Sequence, residues 1–229
     1  MRSLYIFVLA LTVGLSACDS GSNNTSTSKT HKKERQINLI SADSILQTYG
    51  EGLYAQMNIT EGDVLLKLEM EKAPLTVANF VALAEGTMPN KAKDLGVPFY
   101  DGLTFHRVIN VANGDGDNFM IQGGDPEGTG MGGPGYQFRN EIVPSLSHNR
   151  PGILAMANSG PNTNGSQFYI TNGPRQQLDG SYNIFGKVVS GQSSVDQTLK
   201  GDKIYFVKII RVGEAAKNFD ALNVFNSLK

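Results

Sequence analysis

Short apolar runs, bounded by glycine or polar turn residues, recur along most of the chain. The first clear pair is GLYAQMNI over residues 52–59 and VLLKLEM over residues 64–70, separated by the turn sequence Thr60-Glu61-Gly62-Asp63. Two such runs around a short turn that contains glycine predict a β-hairpin. Within the second run, alternate residues from Val64 to Met70 are apolar, so one face of this strand should pack on a core.

Further short runs of the same kind predict more strands. They are GILAMAN (152–158), SQFYIT (166–171), NIFGKVV (183–189) and the closing strand KIYFVKIIRV (203–212). Glycine punctuates these runs, which is typical of a turn-rich β protein. The sequence therefore predicts one β-rich domain with a few helices.

Four segments are candidate helices. APLTVANFVALAEG (73–86) has Pro74 at its start and Gly86 at its end, and Val77, Phe80, Val81 and Ala84 would form one apolar stripe. We also expect a short helix over residues 193–200 and an amphipathic C-terminal helix over residues 214–229. Residues 36–51 form an N-terminal extension whose apolar residues suit a short packed helix.

The N-terminus is typical of an exported protein. The apolar run from Leu4 to Leu15 is too short to span a bilayer and fits a signal peptide over residues 1–17. Leu15-Ser16-Ala17-Cys18 resembles a bacterial lipobox, which implies cleavage before Cys18 and lipid attachment to it. An ordinary signal peptide or an uncleaved anchor is the alternative.

Residues 18–35 lack a core-forming apolar residue and predict a disordered tether behind the lipidated cysteine. We therefore expect a membrane-anchored lipoprotein of the bacterial cell envelope, facing the periplasm or the outside.

The composition argues against several other functions. A net charge of −1 gives no basic surface for nucleic acid. Cys18 is the single cysteine, so zinc ligation by a Cys/His cluster is not expected. The glycine-rich segment 124–135 lacks the lysine of a phosphate loop. Asp115 and Asp117 begin like a calcium loop, but the apolar residues from Phe119 break its ligand spacing; a solvated turn is favoured over calcium.

Six motifs, in their order and spacing, resemble the cyclophilin-type peptidyl-prolyl cis-trans isomerases. They are FHRVI, FMIQGGD, GILAMAN, GPNTNGSQFYIT, LDG and FGKV, and the resemblance covers roughly Leu53 to Val212. It implies a closed antiparallel barrel of eight strands capped by two helices, as an isomerase domain over residues 52–213. It also implies activity on proline-containing polypeptides without a cofactor or metal, and we expect a monomer.

The resemblance also implies the site. The arginine of FHRVI, Arg107, would be the catalytic residue. The substrate-binding residues implied by the other motifs are Phe119, Met120, Gln122, Ala157, Asn158, Gln167, Tyr169, Leu178 and Tyr182. Phe105, Ile121, Phe168 and Phe185 alternate with site residues and are expected in the core.

The chain departs from the family at several points beside this site. The connection after Arg107, residues 108–118, is longer than usual, and Gln177 stands where an aromatic residue is common. Tyr169 replaces the usual phenylalanine, and Tyr182 replaces a common histidine. Two further interpretations stay open: a non-catalytic lipoprotein that binds proline peptides, and a module on this fold that binds an envelope component.

Overall fold

The computed structural model describes residues 38–229, and its secondary structure follows the apolar runs. The strands are β1 (Gly52–Ile59), β2 (Gly62–Leu68), β3 (Arg107–Ile109), β4 (Met120–Gly123), β5 (Ile153–Met156), β6 (Phe168–Thr171), β7 (Ile184–Ser190) and β8 (Ile204–Val212). The helices are α1 (Ala42–Tyr49), α2 (Pro74–Ala84), α3 (Gln192–Gln197), α4 (Glu214–Lys217) and α5 (Ala221–Leu228), with a 3-10 turn at Gln176–Leu178. The predicted signal peptide, Cys18 and the tether lie outside the described residues.

All eight strands form one antiparallel sheet in the order β3-β4-β6-β5-β7-β2-β1-β8. The eight antiparallel strands confirm the predicted class, but the expectation of a closed barrel is wrong, because no ladder pairs the end strands β3 and β8 in residues 38–229. The irregular segment before β3 nevertheless bonds to the start of β8, because the Thr104–Lys203 bridge is flanked by main-chain hydrogen bonds between residues 102–105 and residues 201–204. The named strands therefore form a half-barrel, and these irregular segments connect its two ends.

The N-terminal extension contributes a covering helix. Ser41 caps α1 by accepting a hydrogen bond from the Ser44 N–H at 3.2 Å. Ile45 of α1 packs with Tyr54, Leu65 and Val212 on the face of the sheet that points away from the main core. As a result, β1 and β2 are buried on both faces, and the simple in-and-out alternation predicted for the second run applies to only part of it.

Helix α2 lies at the centre of the core. Every residue from Leu75 to Ala84 is buried, so burial extends around the whole helix and well beyond the predicted apolar stripe. The reason is that α2 packs against α5 as well as against the strands β7 and β8. The α2 N-terminus has no local side-chain cap; instead, the Glu141 carboxylate accepts the N–H groups of Leu75 at 3.0 Å and Thr76 at 2.8 Å. A carboxylate at this end also complements the helix dipole.

The C-terminal region is two helices, and the single helix predicted over residues 214–229 is wrong in this respect. Asp220 has extended backbone and interrupts the helical path between α4 and α5. Its carboxylate accepts the Asn223 N–H at 3.1 Å and starts α5 as an N-cap. Phe225 of α5 then packs on Tyr136 and Phe138, with both pairs of ring centroids 5.8 Å apart.

Candidate active site

The strand register brings predicted site residues into one row. Arg107 of β3 lies opposite Gln122 of β4, Gln122 lies opposite Tyr169 of β6, and Tyr169 lies opposite Ala155 of β5. Directly opposed residues in antiparallel strands project from the same face. The alternating residues face the core: Phe105, Ile121, Phe168 and Phe185 are fully buried, which confirms the predicted assignment.

A pocket of about 130 Å³ opens on this outer face of the sheet. Met120 and Tyr169, which are 2% and 5% exposed, are the most buried of its lining residues. Nine of the ten residues predicted for the site line it: Arg107, Phe119, Met120, Gln122, Ala157, Asn158, Tyr169, Leu178 and Tyr182. Its floor and walls are mainly apolar, and its size suits a small ring.

The tenth predicted residue, Gln167, does not line this pocket but is hydrogen-bonded to Gln122 at its polar edge. Its side-chain amide donates to the carbonyls of Gly130 at 3.1 Å and Gly132 at 2.8 Å, and its oxygen accepts from Gln122 Nε2 at 2.9 Å. The Gln122 oxygen in turn lies 3.5 Å from Arg107 Nη1. This chain of amides fixes Gln122 beside the guanidinium while leaving the guanidinium exposed to solvent.

Arg107 is available for a ligand. Its side chain belongs to none of the ion pairs found between residues 38 and 229, which weakens the alternative that it serves as a surface ion-pair partner. Burial lowers the pKa of the neighbouring His106, although Asp125 acts in the opposite direction. A neutral His106 leaves Arg107 as the positive charge at the pocket edge.

Asn158 presents its main chain at the pocket. Its side chain is occupied, because Nδ2 donates to the Ser181 carbonyl at 3.1 Å and Oδ1 accepts the Gly160 N–H at 3.2 Å. Within the described part of the chain, its main-chain N–H and C=O have no hydrogen-bond partner. An extended polypeptide that passes the pocket can therefore pair with them.

A larger groove of about 570 Å³, which the motifs did not predict, continues from the pocket. It shares Gln122, Ala157 and Asn158 with the pocket and is bordered by the glycine-rich segment 130–135. The sequence signal was the glycine run itself, which suits close approach of a ligand backbone. The pocket and the groove together provide a binding surface longer than one residue.

A buried hydrogen-bonded network behind the pocket was also missed. The imidazole of His148, which is 0% exposed, lies 2.7 Å from Asp179 Oδ1 through Nδ1 and 2.9 Å from the Tyr169 hydroxyl through Nε2. Ser147 donates a further hydrogen bond to Asp179. Residues far apart in sequence make these contacts, so spacing alone did not reveal them.

The pKa shifts define the protonation of this network. Burial raises the pKa of Tyr169, so its phenol stays neutral. Burial lowers the pKa of His148, and Asp179 offsets this only in part. Burial also acts to raise the pKa of Asp179, but hydrogen bonds from Ser147 and His148 outweigh it and the net pKa is lowered. Neutral His148 thus donates from Nδ1 to the carboxylate and accepts the Tyr169 O–H at Nε2.

Two other properties concern residues 38–229 alone. None of the helices in this range has the length and apolar character needed to cross a membrane. No cluster of three or more His, Cys, Asp or Glu side chains in the same range is arranged to hold a metal ion.

Comparison with known proteins identifies the class. Residues 54–214 match the model of the family described as cyclophilin type peptidyl-prolyl cis-trans isomerase/CLD. This match covers more than half of the chain. The chain belongs to the cyclophilin-type peptidyl-prolyl cis-trans isomerase family.

Individual relatives agree with this assignment. The chain is 49% identical over 143 residues to a Mycobacterium tuberculosis protein named peptidyl-prolyl cis-trans isomerase A, an alignment that covers 61% of this chain and 75% of the relative. It is 47% identical over 147 residues to peptidyl-prolyl cis-trans isomerase B of Streptomyces anulatus, covering 62% and 79%.

A solved cyclophilin-type isomerase from Cryptosporidium parvum has the same fold, with a TM-score of 0.58 and 33% identity over 70% of this chain and 98% of that chain. A second structure of that protein, obtained in the presence of the dipeptide Ala-Pro, has a TM-score of 0.57 and 32% identity over 70% and 99% of the two chains.

Proposed function

We propose that this chain is a peptidyl-prolyl cis–trans isomerase that accelerates Xaa-Pro isomerisation in exported or envelope proteins. Its family and the isomerase names of its relatives support the reaction. The single observation that supports the site is the joint placement of Arg107 and eight other predicted residues around one small, largely apolar pocket.

The reaction requires no nucleophile, because no covalent bond breaks. Resonance in the peptide C–N bond sets a barrier of roughly 18–20 kcal/mol, and Xaa-Pro exchange takes on the order of tens to hundreds of seconds without a catalyst. When the bond twists, conjugation is lost and the prolyl nitrogen regains a lone pair. A donor that meets this lone pair binds the twisted state more tightly than the planar one, and this difference lowers the barrier.

Each part of the pocket has a place in this mechanism. Arg107 donates to the prolyl nitrogen of the twisted bond, and Gln122 orients the guanidinium from the next strand. The prolyl ring rests among Phe119, Met120, Tyr169, Leu178 and Tyr182, while Ala157 completes the rim. The main chain of Asn158 pairs with the substrate backbone, so that one side of the bond is held while the other rotates.

The test of the reaction is two-state exchange of a short Xaa-Pro peptide, followed by NMR with the full chain at catalytic concentration. We expect the cis–trans exchange rate to rise with protein concentration while the cis:trans ratio stays that of free peptide. A protein that binds the peptide without accelerating exchange would instead favour the alternative of a non-catalytic proline-binding lipoprotein. Failure of both binding and exchange would favour the module that binds an envelope component.

The cellular location is a separate part of the proposal. The lipobox-like Leu15-Ser16-Ala17-Cys18 and the polar segment that follows it support a lipid anchor, which would place the isomerase domain outside the cytoplasm, as a monomer on a tether. Cys18→Ser should abolish labelling by radioactive palmitate and release the protein from the membrane fraction. A Ser16→Thr variant, which keeps the cysteine, serves as the control. Undiminished labelling of Cys18→Ser would contradict the anchor.

A further inference from the structure

The long connection between β3 and β4, residues 110–118, is an ordered loop. The Asn110 side chain accepts the Asn113 N–H at 2.7 Å, and Asp115 accepts the Asn110 N–H at 3.1 Å. Across the loop, Asn118 accepts the Val111 N–H at 3.0 Å. These side-chain contacts fix where the loop delivers its last residues, which immediately precede Phe119 of the proline pocket.

Arg175, on the loop after β6, meets the end of this connection. Its guanidinium carbon lies 5.2 Å from the centroid of the Phe119 ring. Nη2 donates to Asp117 Oδ2 at 2.6 Å and to the Asn118 carbonyl at 2.8 Å, and Nη1 donates to the Pro174 carbonyl at 2.8 Å. The Arg175 guanidinium thus connects the 110–118 loop to the loop after β6 and lies over the Phe119 ring.

The position of Arg175 relative to the pocket is informative. Phe119 lines the pocket, whereas Arg175 does not, so the guanidinium covers the ring from outside. The Arg175 side chain is 16% exposed, while its partner Asp117 is 67% exposed. An ion pair with such an exposed carboxylate is weak in itself. The carbonyl contacts and the stacking on the ring are therefore the stronger part of the arrangement.

We propose that Arg175 is a positioning residue for the proline pocket, and that Asp117 and the 110–118 loop hold it in place over Phe119. The stacked guanidinium limits the orientations of the ring and thereby pre-forms the wall against which a prolyl ring packs. Arg175 does not reach the reacting bond, so it acts on substrate affinity and leaves the twisting step to Arg107. This inference rests on the proposed isomerase function.

The planar fork of arginine is required for this role. A lysine at position 175 keeps the charge, but it cannot stack a plane on the ring while donating to Asp117 and two carbonyls at once. Arg175→Gln removes the cation and most of the donors. Both variants change a loop side chain outside the core, and Asp117→Asn changes an exposed carboxylate, so the three together separate the stacking from the ion pair.

The experiment measures KM and kcat separately for an Xaa-Pro peptide. Arg175→Gln should raise KM about five-fold, because the loss of one cation–π contact of ordinary strength weakens binding by about that factor. The value of kcat should change less than about two-fold. Arg175→Lys should recover less than half of that loss. Asp117→Asn should raise KM by about two-fold at low salt, and this effect should disappear at about 1 M salt, where exposed pairs are screened.

The matched control is Lys217→Gln, which removes an exposed ion pair with Glu214 on α4, outside the pocket. It should leave KM and kcat unchanged.

Wild-type KM in a folded Arg175→Gln protein, or full recovery by Arg175→Lys, would overturn the proposal. A fall in kcat at constant KM would overturn it as well, because it would give Arg175 a role in the twisting step. If Arg175→Gln fails to fold, an unchanged KM in Asp117→Asn at low salt overturns the proposal by itself. Inactivity of the wild-type chain would contradict the proposed function instead.

Discussion

The two halves of the sheet differ in strand length and in what covers them. β1, β2, β7 and β8, which we call the long-strand half, have between seven and nine residues each. β3, β4, β5 and β6, the short-strand half, have three or four. In the long-strand half α1 covers the outer face, whereas the outer face of the short-strand half carries the pocket. The long paired strands and the candidate active site thus lie in different parts of the sheet.

This difference shows how the fold separates stability from binding. Long paired strands that are buried on both faces unfold only when most of the protein unfolds. Short strands with long connections allow loops to be placed around a site. The predicted site residues lie in the short strands or in the loops that adjoin them. Substitutions in the long-strand half should therefore act mainly on the free energy of unfolding, and substitutions of exposed side chains around the pocket should act mainly on kcat or KM.

The largest expected effect is in the long-strand half. Leu65 is 1% exposed and packs under α1 with Ile45 and Tyr54. Leu65→Ala should lower the free energy of unfolding by about 2–5 kcal/mol, because it removes buried methylenes and leaves a cavity. Urea unfolding followed by circular dichroism measures this loss, and kcat/KM per folded molecule should not change. Leu95→Ala, at a side chain that is 70% exposed, is the control and should be close to neutral.

The second prediction concerns the pocket. Arg107→Ala should lower kcat/KM by about 10²–10³-fold, as when one preorganised donor is removed, while the free energy of unfolding stays unchanged because the side chain is exposed. Arg107→Lys should restore only part of the activity, because lysine lacks the planar fork that Gln122 orients. Exchange of an Xaa-Pro peptide by NMR measures the loss. Arg150→Ala removes an exposed arginine that does not line the pocket and should remain fully active. Full activity of a folded Arg107→Ala protein would exclude Arg107 as the catalyst.

The site could be predicted to a large extent because its residues fall in short contiguous motifs. FHRVI contains Arg107, and FMIQ contains Phe119, Met120 and Gln122, so the resemblance of these motifs to the cyclophilin family implied that the four residues share one site. The alternation rule also separated Phe168 in the core from Tyr169 in the pocket wall. Local sequence therefore sufficed wherever one strand presents its two faces to two different environments.

Contacts between distant segments could not be predicted in this way. Helix α2 carries an apolar residue at almost every position, and nothing in its local sequence indicates that α5 packs against it in addition to the sheet. Arg175 and Asp117 are 58 positions apart, and neither has a motif that points to the other. The open order of the sheet likewise depends on how two irregular segments meet at Thr104 and Lys203, and strand propensity does not specify this.

The smallest expected effect is a change of stability with pH. It connects the pocket with stability, because His148, which lies behind the pocket, should make the free energy of unfolding depend on pH. Burial lowers the pKa of His148 in the folded protein, whereas in the unfolded chain it should titrate near the ordinary value of about 6.5. Below that pH the unfolded chain binds a proton that the folded protein does not, so stability is full above about pH 6.5 and decreases as pH falls toward the folded pKa. His106 shifts in the same direction, so the two histidines act together. Asp179 and Asp125 have lowered pKa values as well, but they act only below about pH 4, where their unfolded forms titrate.

Thermal unfolding between about pH 7.5 and 5 should therefore give a falling melting temperature, and NMR titration of the histidine ring signals should place both folded pKa values below the ordinary one. Tyr169→Phe sharpens the assignment. This substitution removes the hydroxyl that donates a hydrogen bond to His148 Nε2, so the neutral imidazole loses a partner. The free energy of unfolding at neutral pH should therefore fall by about 1–3 kcal/mol. The difference between this variant and wild type should shrink below pH 6, where protonation of His148 already disfavours the folded wild-type protein. A wild-type stability that is flat across this range, or a His148 pKa at or above its ordinary value, would contradict a neutral imidazole held between Tyr169 and Asp179.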